Sequence, residues 1–191
     1  PWPIVGSLGA FVMLVGAVVS VPLYSSVSLD NPLRVLVAAA SGAAGYLEIV
    51  WLLFGSSGLL GRRPFSRNER RFFLGTAASV GAALALVHAT DPNGESIRFM
   101  FRAGVRGMIV GVAFLIAAVH VWRAPGVHAI GRRLVVGAFT LFGLSQFQLL
   151  LMPVLQDPTH IKAGFVLSLG FADFVLLFAI GLGVVIWLLE E

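Results

Sequence analysis

The sequence predicts an all-α protein, a polytopic integral membrane bundle of six transmembrane helices with short loops. Of its 191 residues, 58% are hydrophobic and 12% are charged, whereas a soluble domain carries roughly 25% charged residues. The apolar residues form repeated runs of about 20, the length that crosses a bilayer as a helix. The charges lie mostly between those runs. We therefore expect residues 1–191 to form a single transmembrane domain whose main partner is the lipid bilayer.

The first two predicted helices are separated by a short loop. Residues 4–24 are apolar and uncharged, and a loop over residues 25–32 connects them to the next apolar run. That run predicts a helix over residues 33–54 and carries one acid, Glu48. Gly55-Ser56-Ser57-Gly58 is expected to end it, because glycine and serine clusters mark loops.

The other four predicted helices are bounded by charges or by helix-breaking residues. The third covers about residues 72–89, rich in alanine and glycine, and the fourth covers about 97–122 and opens with arginines. The fifth covers about 134–152 and stops before Pro153. The sixth, about 163–189, is almost unbroken in its apolar character.

The loops alternate in charge, and this pattern predicts an orientation. The segments 62–71 and 123–133 are strongly basic, and basic loops stay in the cytoplasm. The loops around Asp30, 91–95 and Asp157 are acidic and are expected outside. Six crossings then place the C-terminus in the cytoplasm, in the inner membrane of a bacterium.

The net charge of +4 is explained by this orientation, so we expect no nucleic-acid partner. The chain does not begin with Met, which suggests that its N-terminus was trimmed. A helix removed from the front would give the parent seven crossings and an outer N-terminus.

Asp173 is the first candidate for a functional residue. It lies eleven residues after Lys162, about 16 Å into the predicted helix and close to the bilayer midplane. A bare carboxylate is costly there and needs a proton or a partner. Two interpretations stay open, a ligand or switch site and a hydrogen bond that fixes helix packing.

Arg98, Arg102 and Arg106 recur every four residues and form a positive stripe on one face of the fourth predicted helix. Arg98 belongs at the membrane interface, and Arg102 can reach it. Arg106 lies deeper and needs an anion. The candidates are Asp173, the acids of the outer loops, a lipid phosphate, or an anionic or lipid-like ligand bound between helices.

Two further polar residues are expected inside the bundle. Glu48 shares a small, polar face with Gly45 and is interpreted first as a packing residue. Gln146 and Gln148 are about 200° apart on a helix, so they cannot share a face. We select Gln146 for the core, because it lies on the same side as Gly143.

The sequence argues against several kinds of chemistry. The chain has no Cys, and its four histidines are not expected to assemble into a site. His88 and His160 are predicted at the outer side, and His120 and His128 share a depth at the inner side but lie close to arginines. We therefore expect no metal and no cofactor, although one histidine would suffice for a chlorophyll-type pigment. Gly55-Ser56-Ser57-Gly58 contains the GxSG pattern of rhomboid proteases, but the sixth helix has no histidine to activate a serine. That helix also has no interior lysine for a retinal Schiff base. No enzymatic activity is expected within residues 1–191.

The C-terminal stretch Val185-Ile186-Trp187-Leu188-Leu189-Glu190-Glu191 is an apolar, Trp- and Leu-containing helix end followed by acids. This exit, together with six short-looped helices, resembles the multi-pass N-terminal sensor region of bacterial signalling proteins, such as sensor histidine kinases and diguanylate cyclases. The resemblance implies an input module that passes a stimulus through its last helix to a cytoplasmic output domain beyond residue 191.

Two other functions remain possible on the sequence alone. A non-catalytic accessory or scaffold subunit of a respiratory or photosynthetic complex would also have small faces and isolated polar residues. A small transporter would explain the charges in the membrane, but the sequence shows neither interrupted helices nor an internal repeat. The protein is expected to be a homodimer or a subunit of a membrane assembly.

Overall fold

The computed structural model describes residues 32–58, 65–87, 97, 100–125, 130–149, 151 and 163–190, and the side chains of the last range from residue 171 onward. The regular secondary structure in these ranges is helical, without a strand. A π-helical segment, Met100–Val105, leads directly into the third α-helix. The five α-helices are α1 Pro32–Gly58, α2 Arg67–Leu86, α3 Arg106–Arg123, α4 Ile130–Gln146 and α5 Ala163–Glu190. The predicted helix over residues 4–24 lies outside the described residues.

Three of the described helices are long and apolar enough to cross a membrane: Pro32–Gly58, Met100–Arg123 and Phe171–Glu190. The other two do not qualify by length and composition. α2 begins with four charges in five residues, and α4 has 17 residues, which span about 26 Å against a hydrocarbon thickness of about 30 Å. The all-α prediction is confirmed for the described residues, but they support three crossings and not six.

α1 extends further than the sequence predicts. The expected end at Phe54 is wrong, because the helix continues to Gly58 through both serines of the Gly-Ser-Ser-Gly motif. The Ser56 hydroxyl donates to the Leu53 carbonyl at 3.3 Å, and the Ser57 hydroxyl makes the same contact one residue later. These hydroxyls bond to their own helix and so do not compete with its continuation.

α2 begins five residues before the predicted start at Phe72. The Glu69 amide donates to the Ser66 hydroxyl at 3.2 Å, and the Ser66 amide donates to the Glu69 carboxylate at 2.7 Å. This reciprocal pair is a capping box, which satisfies amides that have no partner within the helix. The arginines from Arg67 onward therefore lie in a helix, and the prediction that they form a loop is wrong.

α4 also begins and ends earlier in the chain than the sequence predicts. It begins at Ile130, four residues before the predicted Leu134, and its regular helix ends at Gln146, six residues before the predicted end. Arg132 and Arg133 consequently belong to its first turn and not to a loop. The helix starts early because the Glu190 carboxylate of α5 accepts hydrogen bonds from its first amides.

The helices pack in the spatial order α2, α1, α3, α4, α5 within the described part of the chain. Their contacts show that helices alternate in direction along the chain, although not across the row. Along α1 and α3, Glu48 contacts Arg106 and Ser56 contacts His120, so these two helices run parallel. α4 runs opposite to both α3 and α5, and α2 runs opposite to α1. The row therefore contains three antiparallel contacts, α2–α1, α3–α4 and α4–α5, and one parallel contact, α1–α3.

The core lies between α1, α3 and α4. Phe114 of α3 packs against Phe139 and Phe142 of α4, with ring centroids 5.4 and 4.5 Å apart. Small residues let the backbones approach. A methyl group added to Gly111 would come within 2.7 Å of the Gly143 carbonyl oxygen, so a side chain at this position has no room.

α5 packs on α4 and leaves its other face uncovered in the described structure. Gly183 lies against Gly131 and Val135, and Trp187 packs against the start of α4. The outward face is strongly apolar. Its exposed residues include Phe171, Phe174, Phe178, Leu182, Val185 and Leu189.

Candidate functional site: a polar line across four helices

Glu48 and Arg106 form an ion pair between α1 and α3. The Nη2 atom of Arg106 lies 3.5 Å from the Oε2 atom of Glu48. The Glu48 side chain is almost completely buried, at 5% exposure, and that of Arg106 is 30% exposed. A buried carboxylate needs a cation or a proton, and Arg106 supplies the cation.

Gly45 makes this pair possible. It lies one turn before Glu48 on α1, and the guanidinium group of Arg106 rests directly on its backbone. A methyl group added to Gly45 would come within 2.5 Å of Nε and 2.7 Å of Cζ of Arg106. The small residue is therefore required for the arginine to enter the helix interface.

The pairing differs from the expected one. Arg106 was expected to meet Asp173, an acid of the outer loops, a lipid phosphate or a ligand, and Glu48 was expected to be a packing residue. In the structure Glu48 is the acid beside Arg106. Counting residues along a helix gives the depth of each charge, but it does not give which helices are neighbours.

Arg102 has a different role from Arg106, although both belong to the predicted stripe. Its Nε and Nη2 atoms donate to the Ala85 carbonyl oxygen at 2.9 and 2.6 Å. Ala85 lies in the last turn of α2, where carbonyl groups lack partners within their own helix. Arg102 thus caps α2, and it does so from the π-helical segment, a backbone form that is common at functional sites.

Asp173 joins α5 to α4. The Ser145 hydroxyl donates to its Oδ1 atom at 3.1 Å, and the Gln146 amide donates to its Oδ2 atom at 3.2 Å. Gln146 is buried and Gln148 is exposed, as their 200° separation on the helix predicts. Both oxygens of the acid therefore bind side chains of the neighbouring helix, and neither contacts Arg106.

The two polar pairs are connected through the backbone of α3. Gly107 follows Arg106 directly and packs on Gln146, whose carbonyl oxygen would lie 2.7 Å from a methyl group added to the glycine. Glu48 and Arg106 on one side and Gln146 and Asp173 on the other are thus two polar pairs joined by a backbone packing contact. They extend across α1, α3, α4 and α5, and we call them together the polar line. It contains four of the five candidate residues, and Arg102 lies one turn away.

The chain matches no protein-family model, no curated protein and no solved structure. Its function must therefore be inferred from its own residues. In the described ranges, no group of three or more His, Cys, Asp or Glu side chains is placed to hold a metal ion. The polar line consists of one ion pair, the hydrogen bonds of Asp173 and one packing contact between them.

Arg132 is a structural residue that sequence reasoning missed. It was assigned to a basic cytoplasmic loop, but its side chain is 1% exposed. Its guanidinium group donates to the carbonyls of Val121 at 2.9 Å, Trp122 at 2.6 Å and Ala124. These carbonyls lie at the end of α3, where the regular helical partners are missing, and that of Val121 also accepts the Ala124 amide at 3.3 Å. The sequence offered no signal for this role, since a basic residue beside Arg133 is typical of exposed charge.

Glu190 makes the matching contact at the start of α4. Its carboxylate accepts hydrogen bonds from the amides of Ile130 at 3.2 Å and Gly131 at 2.9 Å. A carboxylate at a helix N-terminus satisfies free amides and interacts favourably with the helix dipole. This contact explains the early start of α4, and it gives α5 a second polar attachment about 25 Å from Asp173 along the helix.

Ser56 and His120 meet where the last turns of α1 and α3 lie side by side, with Oγ and Nδ1 3.2 Å apart. Ser56 is buried and its hydroxyl also reaches the Leu53 carbonyl of its own helix. A serine nucleophile needs access for a substrate and a base that takes its proton. The buried Ser56 fits helix packing, and the rhomboid-like pattern gains no support from this contact.

Proposed function

We propose that this chain is a membrane-embedded sensor and signal-transducing module that passes a stimulus through α5 to a cytoplasmic output domain beyond residue 191. The chain itself is proposed to have no enzymatic activity. The observation that carries the proposal is the polar line, because it connects a buried ion pair in the body of the bundle to the last helix.

The way in which α5 packs on α4 supports a role in passing a signal to an output domain. Along the described part of the chain it packs on α4, through Asp173, Gly183 and Glu190, while its opposite face is exposed. Because Leu176, Leu177 and Ile180 of α5 pack against the core, a shift or rotation of this helix would be coupled to the body of the bundle. A stimulus would cause this shift only by binding one helix arrangement better than the other.

The proposed topology has six crossings, with the apolar run over residues 4–24 as the first. The alternating direction of α1 to α5 supports it, because each described helix then begins on the side where its predecessor ended. The basic segments 62–71 and 123–133 are placed in the cytoplasm, in the inner membrane of a bacterium. α2 and α4 would cross despite their charged first turns, whose residues would reach the inner interface.

The direct test is Asp173→Asn in the full-length protein with its output domain. Asparagine keeps the size of the side chain and removes its negative charge, so the bond network to α4 must rearrange. We expect signal output to change by about fivefold or more, with unchanged amounts of protein in the membrane fraction. Phe174→Leu is the matched control, since Phe174 is the next residue on α5 and is exposed. Unchanged output in Asp173→Asn would disprove this proposal.

Movement of α5 can be measured without an output domain. The chain has no cysteine, so Gly58→Cys and Leu189→Cys introduce two unique spin-label sites at exposed positions of α1 and α5. We expect Glu48→Gln to change the distance between these labels by roughly 1–5 Å, the scale of known helix shifts. An identical distance distribution in the variant would show that the polar line does not control α5.

The exposed apolar face of α5 favours one alternative, an accessory subunit of a larger membrane complex. There the same face would bind another subunit, and no stimulus would be needed. The intact mass of the native polypeptide separates the two functions. A chain extending well beyond residue 191 supports the sensor, and a native stop near it supports the subunit.

A further inference from the structure

We propose that the start of α2 binds the headgroup of an anionic phospholipid, with Arg67 and Arg71 on the lipid phosphate and Phe72 beside the acyl chains. The lipid comes from the bilayer leaflet at the end of the bundle where α1 ends and α2 begins. This site is independent of the sensor function. It requires only that the chain lies in a membrane, as its long apolar helices indicate.

The two arginines lie on the same side of α2. Arg67 and Arg71 are four residues apart in the first turns of the helix, so they are neighbours on its surface. Both are exposed. A guanidinium group binds a phosphate through two parallel hydrogen bonds. Two such groups one turn apart can therefore hold one phosphate from two directions.

No acid in the described residues faces this pair of arginines. Glu69 is the nearest in the chain, but it lies about 200° around the helix from each of them, and its carboxylate accepts the Ser66 amide at 2.7 Å. The other described acids bind Arg106, side chains of α4 and the first amides of α4, and they are Glu48, Asp173 and Glu190. The pair therefore presents a local positive charge, which attracts an anion.

Aromatic rings beside the pair indicate a position at the membrane interface. Phe72 directly follows Arg71 and is 68% exposed. The next ring, Phe73, packs on Phe65 and on Phe54 of α1, with centroids 5.8 and 6.1 Å apart, and so holds the start of α2 beside the end of α1. Arginines next to aromatic rings are typical of helix ends at an interface, where the charge reaches the headgroups and the ring stays with the acyl chains.

These features favour an anionic phospholipid over a zwitterionic lipid or a soluble phosphate. A choline or ethanolamine headgroup would bring a positive charge next to the arginines, whereas phosphatidylglycerol has a phosphate and no cation. A soluble phosphate would gain nothing from the exposed ring of Phe72. Each arginine near the membrane surface is expected to raise the affinity for an anionic lipid about fivefold.

The test uses the purified chain in non-ionic detergent micelles, titrated with phosphatidylglycerol and followed by native mass spectrometry, which counts the bound lipids. We expect a saturable first site whose dissociation constant is about tenfold or more below that for phosphatidylcholine with the same acyl chains. Glycerol 3-phosphate, which has the phosphate and no acyl chain, should not displace the lipid.

The double variant Arg67→Gln/Arg71→Gln removes both charges and keeps residues that favour helix. We expect its affinity for phosphatidylglycerol to fall about ten- to thirtyfold, with that for phosphatidylcholine unchanged. Arg133→Gln is the matched control. Arg133 is exposed at the start of α4, at the same end of the bundle, but the arginine beside it, Arg132, is buried on the carbonyls of α3. Its loss should change the affinity by less than about threefold.

Several outcomes would overturn the site. Equal affinities for the two lipids would show that the charge of the headgroup is not recognised, and displacement by glycerol 3-phosphate would show a site for a soluble anion. An equal loss of affinity in Arg133→Gln and in the double variant would show a diffuse basic surface instead of a site on α2. Wild-type affinity in the double variant would place the lipid elsewhere. The comparison of lipids needs no variant, so it decides the question even if the double variant fails to fold.

Discussion

At the scale of single residues, three charged side chains in the described part of the chain serve the ends of helices. Arg102 and Arg132 donate to carbonyls in the last turns of α2 and α3, and Glu190 accepts from amides in the first turn of α4. These backbone groups lack their regular helical partners and cannot be left bare in an apolar environment. Each of these three charges thereby makes at least two hydrogen bonds to the backbone of a neighbouring helix.

Arg132 provides the sharpest test of this role. Arg132→Met keeps an extended side chain but leaves the end of α3 without its donor, and we expect the free energy of unfolding to fall by about 3 kcal/mol. The neighbouring Arg133 is exposed, so Arg133→Met should change it by less than about 0.5 kcal/mol. Reversible unfolding in mixed detergent micelles measures both. Equal effects of the two substitutions would show that the contacts of Arg132 contribute nothing special.

Residue positions could be predicted from the sequence where helical geometry alone decides them. The spacing of Gln146 and Gln148 correctly separated the buried residue from the exposed one. The partner of Arg106 could not be predicted, because it depends on α1 and α3 being neighbours. The contact of Asp173 with Ser145 could not be predicted for the same reason, because it depends on α4 and α5 being neighbours.

At the scale of helices, the starts are set by caps more than by hydrophobicity. α2 begins at a capping box among charged residues, well before its first apolar residue, Phe72. α4 begins where Glu190 supplies an acceptor for its first amides. Hydrophobic runs therefore locate the membrane-facing part of a helix, while the complete helix can extend by more than a turn.

The capping box of α2 can be tested by removing its hydroxyl. Ser66→Ala leaves the Glu69 amide without its acceptor, and we expect a loss of about 1 kcal/mol. Hydrogen exchange at the first amides of α2 should become faster, because the first turn would fray. Ser79→Ala, at an exposed position in the middle of α2, should be neutral or slightly stabilising, since alanine favours helix. Unchanged exchange in Ser66→Ala would exclude a role for the cap.

The sequence could have indicated one of these starts and not the other. Ser66-Arg67-Asn68-Glu69 is a recognisable local capping pattern, and the basic composition of the segment drew attention away from it. The start of α4 depends on Glu190, 60 residues later in the chain. The π-helical turns at Met100–Val105 likewise have no simple local pattern.

At the scale of the whole molecule, helix order is fixed by close backbone contacts between small residues. Gly42 meets Gly81, Gly111 meets Gly143, and Gly131 meets Gly183. Each contact joins one successive pair of helices, and small residues are the common means of close packing where lipid replaces water. These pairs join α1 to α2, α3 to α4 and α4 to α5, while α1 and α3 are joined by the contacts of Glu48 with Arg106 and of Ser56 with His120.

A comparison of two glycines tests this account. A methyl group on Gly111 would meet the backbone of α4 at Gly143, so we expect Gly111→Ala to reduce the free energy of unfolding by about 1–3 kcal/mol. A methyl group on Gly137 would meet nothing within 4 Å, and Gly137→Ala should be neutral or stabilising because alanine favours helix. Thermal unfolding in detergent measures both variants. If both were neutral, packing at Gly111 would be looser than the structure indicates.

The burial of Arg132 also has a consequence for the biogenesis of the protein. Orientation in a membrane is decided by basic residues near the helix ends while the chain is being inserted. In the proposed topology, Arg132 contributes at that stage together with Arg123 and Arg133, before α3 and α4 have packed. Once they pack, its charge is withdrawn to the end of α3, and the other two stay exposed. The same arginine would first help to orient the nascent chain and would then stabilise the contact between α3 and α4 in the folded protein.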